Sequence, residues 1–398
     1  MSVFLFIFFM FGFLPEYTEP PVPQDIALPA RSEVIAGINL IMEQAVISNA
    51  VTGAIVIVGH GDDILIEKAY GRKSPSPESP AMTEDTLFDI ASLTKVIATA
   101  PAVMMLTERG KLHLDDTLKK CLPAAGTKNR SSITVRQLLT HYSGLTGTIH
   151  PSRRKKKRIK PPSGNALLSK IYAAPLEAKP GSAFVYSDLG YIMLGKIVER
   201  ASGQSLDRFA SENIFSPLAM NDTSYRPDKK KFCRTAFSEE ERAGRYLCGY
   251  VQDPIARKLN GVTGHAGLFS TARDLSRFAR MMLNGGELEG KRILKSETIA
   301  MMTAPQSPAG KDDVRGLGWD IESRYSSLKG AYFPQQSYGH TGYTGTSLWI
   351  DPQTKTYVIL LTCRSNLEDN TAIKALRTEL SNYAGSLYYP SPMKVKGF

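Results

Sequence analysis

The chain has 398 residues, 42% of them apolar and 22% charged, which excludes a wholly disordered or collagen-like protein and leaves room for a substantial core. The formal charge is +11, and seven of the basic residues form one run from Arg153 to Lys160, between Pro151 and Pro161-Pro162. Nucleic-acid binding, a nuclear address and attraction to anionic envelope polymers are the functional readings of such a run. No aromatic residues interleave the charges, so a solvated loop insertion is expected, with no nucleic acid as partner. Four cysteines, Cys121, Cys233, Cys248 and Cys363, form no C-x-x-C pair. A Cys233–Cys248 disulfide and four buried free thiols both fit their spacing.

Phe4 to Leu14 is an unbroken apolar stretch, followed by a proline-rich segment through Pro23. It is too short to span a bilayer, which takes ~20 residues, and matches the apolar region of a secretory signal. Export to the periplasm or cell envelope is therefore expected, with weak membrane association through this segment. Residues 1–31 are read as this segment and a linker, 32–390 as the folded domain and 391–398 as a tail.

Ser32 to Ser48 carries apolar residues at helical spacing. Gly53–Val58 and Asp63–Ala69 read as strands joined by the turn His60-Gly61-Asp62. Leu93–Arg109 reads as a helix that Pro101 should kink or loosen by one turn. Helical patterns and loops dominate from about Leu112 to Ala300, the clearest being Tyr191–Ala201, Leu206–Ile214 and Thr271–Leu283, the last capped by Thr271. Thr346–Ile350 and Thr356–Thr362 read as a strand hairpin, and Thr371–Ser386 as a closing helix. The expected fold is mixed α+β: an antiparallel sheet flanked by helices, built from residues 32–110 and 301–390, with a helical lobe over 111–300 inserted between them.

Chemistry is concentrated in three places. Ser92-Leu93-Thr94-Lys95 is an S-x-x-K pattern at the start of a predicted helix, where positions i and i+3 share a face and Lys95 can reach the Ser92 hydroxyl. A helix start also supplies free N–H groups beside developing negative charge. Tyr186-Ser187-Asp188 lies on a loop entering a helix, with a tyrosine able to shuttle protons. Gly339-His340-Thr341-Gly342 precedes a predicted strand, where small residues let a substrate backbone approach. Taken singly, a helix-capping serine, a packed tyrosine and a glycine turn are the plainer readings.

In this order the three pieces resemble the motif triplet S-x-x-K, Y-x-N and K-T-G of serine β-lactamases and penicillin-binding proteins. The likeness is greatest to the class C-like branch, with its carboxypeptidases, aminopeptidases and esterases. Leu138–Leu145 and Gly264–Thr271 are similar to that branch too. The resemblance implies a β-lactamase/transpeptidase-like fold and an acyl-enzyme on Ser92, with Lys95 and Tyr186 handling its proton. It implies an oxyanion hole from the N–H groups of Ser92 and Tyr343, and substrate binding or orientation by Asp188, His340, Thr341, Gly342 and Tyr343. His265 is read both as a pocket residue and as a structural glycine-loop histidine.

Two positions depart from the family pattern: Asp188 replaces asparagine and His340 replaces lysine. A neutral imidazole binds a carboxylate less strongly than an ammonium does, and its charge should depend on pH. Carboxypeptidase or esterase action on D-Ala-type peptides or short esters is therefore expected over efficient β-lactam hydrolysis, with a peptidoglycan-derived or other small substrate. The alternative is a catalytically silent envelope-binding protein on the same fold. Gly285–Lys291 falls one residue short of a P-loop, no G-x-S-x-G elbow or H-E-x-x-H pattern occurs, and no metal or cofactor is expected.

Overall fold

A computed structural model describes residues 27–149, 164–242, 245–364 and 366–393. The apolar segment 4–14 and the basic run 153–160 lie outside the described residues. Among those described, no helix is long and apolar enough to cross a membrane.

The first helix, α1 (Arg31–Ile47), is capped by the Glu33 carboxylate, which accepts the Ala30 N–H at 3.1 Å. Its stripe Val34, Ile38, Ile41, Met42 and Ala45 is buried. The chain then forms β1 (Gly53–His60) and β2 (Asp63–Gly71), with Gly61 in the turn at φ +55°, a conformation glycine reaches without strain. Much later come β3 (Val314–Arg315), β4 (Asp320–Glu322), β5 (Tyr338–Thr341), β6 (Ser347–Asp351) and β7 (Thr356–Cys363). The seven strands form one antiparallel sheet in the order β3-β4-β5-β6-β7-β1-β2. Its longest-range pairing, between the interior strands β1 and β7, runs from Gly53 opposite Cys363 to His60 opposite Thr356.

Both faces of these central strands are buried, so their sequences are continuously apolar rather than alternating. Val56, Val58, Val358 and Leu360 pack beneath α1 and the last helix, here α5 (Thr371–Ser386). Ile55, Ile57, Ile359 and Leu361 face the opposite way, into the main core. Cutting any of these fully buried aliphatic side chains to alanine costs ~2–5 kcal/mol. The two outer helices meet closely at Gly37, where a Cβ would come 2.2 Å from the Tyr383 ring.

Between β2 and β3 the chain leaves the sheet to build a helix-rich region that includes α2 (Ala100–Glu108), α3 (Asp188–Ser202) and α4 (Ala272–Leu283). It also contains a three-stranded sheet, Phe88–Asp89, Leu268–Ser270 and Ser224–Tyr225, that the apolar pattern did not reveal. The helix expected over Leu93–Arg109 is in fact three pieces: a 3-10 turn at Ala91–Leu93, a wide π turn at Lys95–Thr99 and then α2. Pro101 sits in the first turn of α2, where a missing N–H costs little. The Ala100 N–H reaches back five residues to the Lys95 carbonyl. The proline thus widens the turn carrying Lys95, as expected, but does so without a kink inside an α-helix.

The cysteines are all free. Cys121 and Cys363 are buried, Cys248 is half-buried and Cys233 is exposed, so neither the disulfide nor four buried thiols describes them.

Candidate active site

Ser92 occupies the 3-10 turn, preceded by Ala91 in a left-handed conformation at φ +47°. Such backbone costs a non-glycine residue on the order of 1 kcal/mol and persists only where neighbours enforce it. The enforcing neighbour is Asp89. Its Oδ1 accepts the Ala91 N–H at 2.9 Å and its Oδ2 accepts the Gln252 N–H at 2.6 Å. Burial pushes the Asp89 carboxyl up to about 6, against the lowering influence of those two N–H groups.

The side chain of Lys95 is fully buried. Its Nζ lies 2.9 Å from Ser92 Oγ, 2.8 Å from Asp188 Oδ1 and 3.2 Å from the His265 carbonyl. An ammonium has three protons, and here it has three acceptors. Burial works against that charge, but Asp188 and Tyr186 outweigh it and hold the amine above its ordinary range. Asp188 opens α3, its N–H bonded to the Gly147 carbonyl, and Ser187 caps the helix by accepting the Gly190 N–H at 3.2 Å.

Tyr186 stands immediately before that cap. The Lys95 ammonium is 4.9 Å from the centroid of its ring. His141 stacks on one side at 4.3 Å, and His340 lies at 6.1 Å. Both imidazoles are buried and neutral: burial, then the charges of Arg315 and Lys95, hold them well below their ordinary range. The pH-dependent charge expected of His340 is therefore corrected, because its site excludes the water that would solvate an imidazolium. Its Nδ1 donates to the Thr341 carbonyl at 2.8 Å.

The third motif precedes the predicted strand, now β6, and is itself a strand, because His340 and Thr341 pair with Leu348 and Ser347. On its other edge β4 engages only Gly339, through Asp320. The loop after β5 is pressed onto the serine turn. A Cβ on Gly342 would sit 2.6 Å from the Ile90 carbonyl, and Thr344 and Thr346 donate to the carbonyls of Asp89 and Ile90 at 2.8 and 3.1 Å. From α5, the buried Arg377 donates to the carbonyls of Gly342, Gly345 and Thr346. Tyr343 lies on this loop with its side chain half exposed, and no acceptor among the described residues takes its N–H or that of Ser92. A cavity of about 450 Å3 opens beside Tyr186, between Thr146-Gly147-Thr148 and Arg324-Tyr325.

His265 belongs to this site only through its carbonyl. Its ring points away, Nδ1 to Thr263 Oγ1 at 2.8 Å and Nε2 to Asp253 Oδ1 at 3.0 Å. The Thr263 hydroxyl also donates to the Ala266 carbonyl at 2.8 Å. Despite burial, His265 draws the Asp253 carboxyl down to about 2. Asp89, His141, Asp253 and Arg377 were not singled out as site residues in the sequence. His141 lay inside the stretch Leu138–Leu145 and Asp89 just ahead of the S-x-x-K pattern, whereas Asp253 and Arg377 had no signal there.

A family model described as β-lactamase matches residues 38–381. The chain belongs to the β-lactamase family. The β-lactamase-family chain is 32% identical over 330 residues to an Escherichia coli K12 protein named for D-alanyl-D-alanine carboxypeptidase activity, covering 75% of each. It is also 32% identical to the N-acetylmuramyl-L-alanine amidase of Bacillus subtilis, over 78% of this chain and 76% of that protein. Among solved structures, a hydrolase with promiscuous acyltransferase activity shares the fold with a TM-score of 0.71 at 20% identity, over 90% of this chain and 99% of that one. The expected mixed fold and the serine-hydrolase family are thus established, and the protein is a hydrolase by family.

Proposed function

We propose that this β-lactamase-family protein is a serine hydrolase that forms an acyl-enzyme on Ser92. The observation that carries the reading is Lys95: a buried ammonium 2.9 Å from Ser92 Oγ, with every proton committed to an acceptor. It cannot take the serine proton in that state, and instead stabilises negative charge as it grows on Oγ. The proton leaves toward Tyr186, which accepts it while handing its own hydroxyl proton to the departing amine or alcohol. The carbonyl oxygen under attack is received by the N–H groups of Ser92 and Tyr343. Water then cleaves the ester by the reverse relay, regenerating Ser92 and releasing the acid.

The open edge of β5 at His340-Thr341-Gly342 suits an extended acyl peptide, and the carboxypeptidase and amidase names of the relatives favour peptidoglycan-derived substrates and an envelope location. A neutral His340 gives little electrostatic hold on a β-lactam carboxylate, which supports peptidase or esterase action over efficient penicillin hydrolysis. The test is a fluorophosphonate or fluorescent penicillin label, followed by a panel of nitrocefin, a p-nitrophenyl ester and a D-alanyl peptide, with Ser92→Ala as control. Equal labelling of wild type and Ser92→Ala overturns the acyl-enzyme. Nitrocefin turnover well above the other two overturns the substrate preference.

A further inference from the structure

Away from the Ser92 cleft the chain forms a second, partly open cavity, of about 290 Å3. Phe269 and Val251 form buried parts of its wall, and Phe232 meets Tyr250 edge to face at 5.4 Å. Three of its lining side chains are cationic (Arg226, Lys229, Arg257), none is acidic, and Asn260 adds an amide. Arg226 is paired with Asp207, and Arg257 lies 3.6 Å from Glu239. Lys229 has no carboxylate partner among the described residues. Aromatic walls beside an uncompensated cation suit one class of ligand: the rings bury an apolar body and the ammonium meets an anionic end.

Two walls of this cavity continue into the nucleophile turn. Val251 precedes Gln252, whose N–H is held by Asp89, the same carboxylate that fixes Ala91. Phe269 lies opposite Asp89 in the small sheet. Its neighbour Leu268 donates to Thr94 Oγ1 at 3.2 Å and accepts the Ile90 N–H at 3.1 Å. A ligand that shifts either wall therefore acts on the residues flanking Ser92.

We propose that this cavity is a second ligand site, for a small organic anion with an aryl or branched alkyl body, and that its occupancy alters the reactivity of Ser92. The second half rests on Ser92 being the nucleophile; the first does not. The test uses the full chain and two probes, 8-anilinonaphthalene-1-sulfonate and its uncharged counterpart N-phenyl-1-naphthylamine, followed by equilibrium dialysis. The sulfonate should bind one per chain to wild type and Ser92→Ala alike. It should bind about tenfold more weakly to Lys229→Glu, and less weakly to Lys229→Gln, at unchanged melting temperature, while the uncharged probe does not distinguish them. Equal sulfonate binding by wild type and both Lys229 variants overturns the site. Saturation with the sulfonate should change the rate of fluorophosphonate labelling by about threefold in wild type and not in Lys229→Glu. An unchanged rate overturns the coupling alone. Labelling that survives Ser92→Ala overturns the nucleophile and leaves the binding result standing.

Discussion

His141 lies against Tyr186 with ring centroids 4.3 Å apart, and its Nδ1 accepts the Ser187 N–H at 3.0 Å. One neutral imidazole thus supports the ring of the tyrosine and the cap of the helix that follows it. In His141→Ala the Ser187 N–H loses its acceptor and Tyr186 gains space beside it. We expect a stability loss of ~2–4 kcal/mol and acylation slower by about 10–100-fold. Thermal melting and stopped-flow labelling check this, and a variant acylating at the wild-type rate removes His141 from the machinery.

Asp188 determines the charge on Lys95. Burial favours the neutral amine, and Asp188 leads the influences that hold it charged above its ordinary range. Asp188→Asn leaves burial less opposed, so the ammonium loses its proton at lower pH. The alkaline limb of ester turnover should move down by about one unit or more. A pH–rate profile of both proteins reads the shift. An unmoved limb would separate the Lys95 charge from catalysis.

The pair between Asp253 and His265 makes stability depend on acid. Asp253 has its carboxyl lowered from 3.8 to about 2, so it binds fewer protons folded than unfolded in that interval. Its contribution, about 2 kcal/mol, is present above pH ~4 and is lost as pH falls toward 2. Asp89, raised to about 6, acts in the opposite sense, losing its contribution as pH rises through that value. Urea unfolding of wild type and Asp253→Asn should therefore differ most near neutral pH and converge in acid. A difference that stays constant down to pH ~2 refutes the pairing.

Gly342 is a point of close approach. Its Cβ would meet Thr346 Oγ1 at 2.1 Å and the Ile90 carbonyl at 2.6 Å, so Gly342→Ala must push the loop away from the serine turn. Acylation should fall by about 100-fold or more, with a stability cost of only ~1–3 kcal/mol. Labelling rates set beside melting curves separate the two effects.

The sequence marked the candidate site more clearly than the architecture around it. Strands β1, β2, β6 and β7 and helices α1 and α5 were legible because their apolar runs and turn residues are local signals. Strands β3 and β4 are two and three residues long and are held by their neighbours in the sheet, so no periodicity could mark them. Ser92, Lys95 and Tyr186 stand in recognisable patterns. Asp89, Asp253 and Arg377 act by holding backbone groups or a buried partner brought near only by folding. The misjudged charge of His340 has the same origin, because burial is not a property of a tripeptide.

The pairing of β1 with β7 joins residues from opposite ends of the folded domain. During synthesis Ser92 and Lys95 emerge early, but β5 and the Arg377 clamp that complete their surroundings follow hundreds of residues later. A nascent chain therefore carries Ser92, the proposed nucleophile, before its surroundings are assembled. On that proposal, a fragment lacking the last strand and helix should be inert however well the rest of it folds.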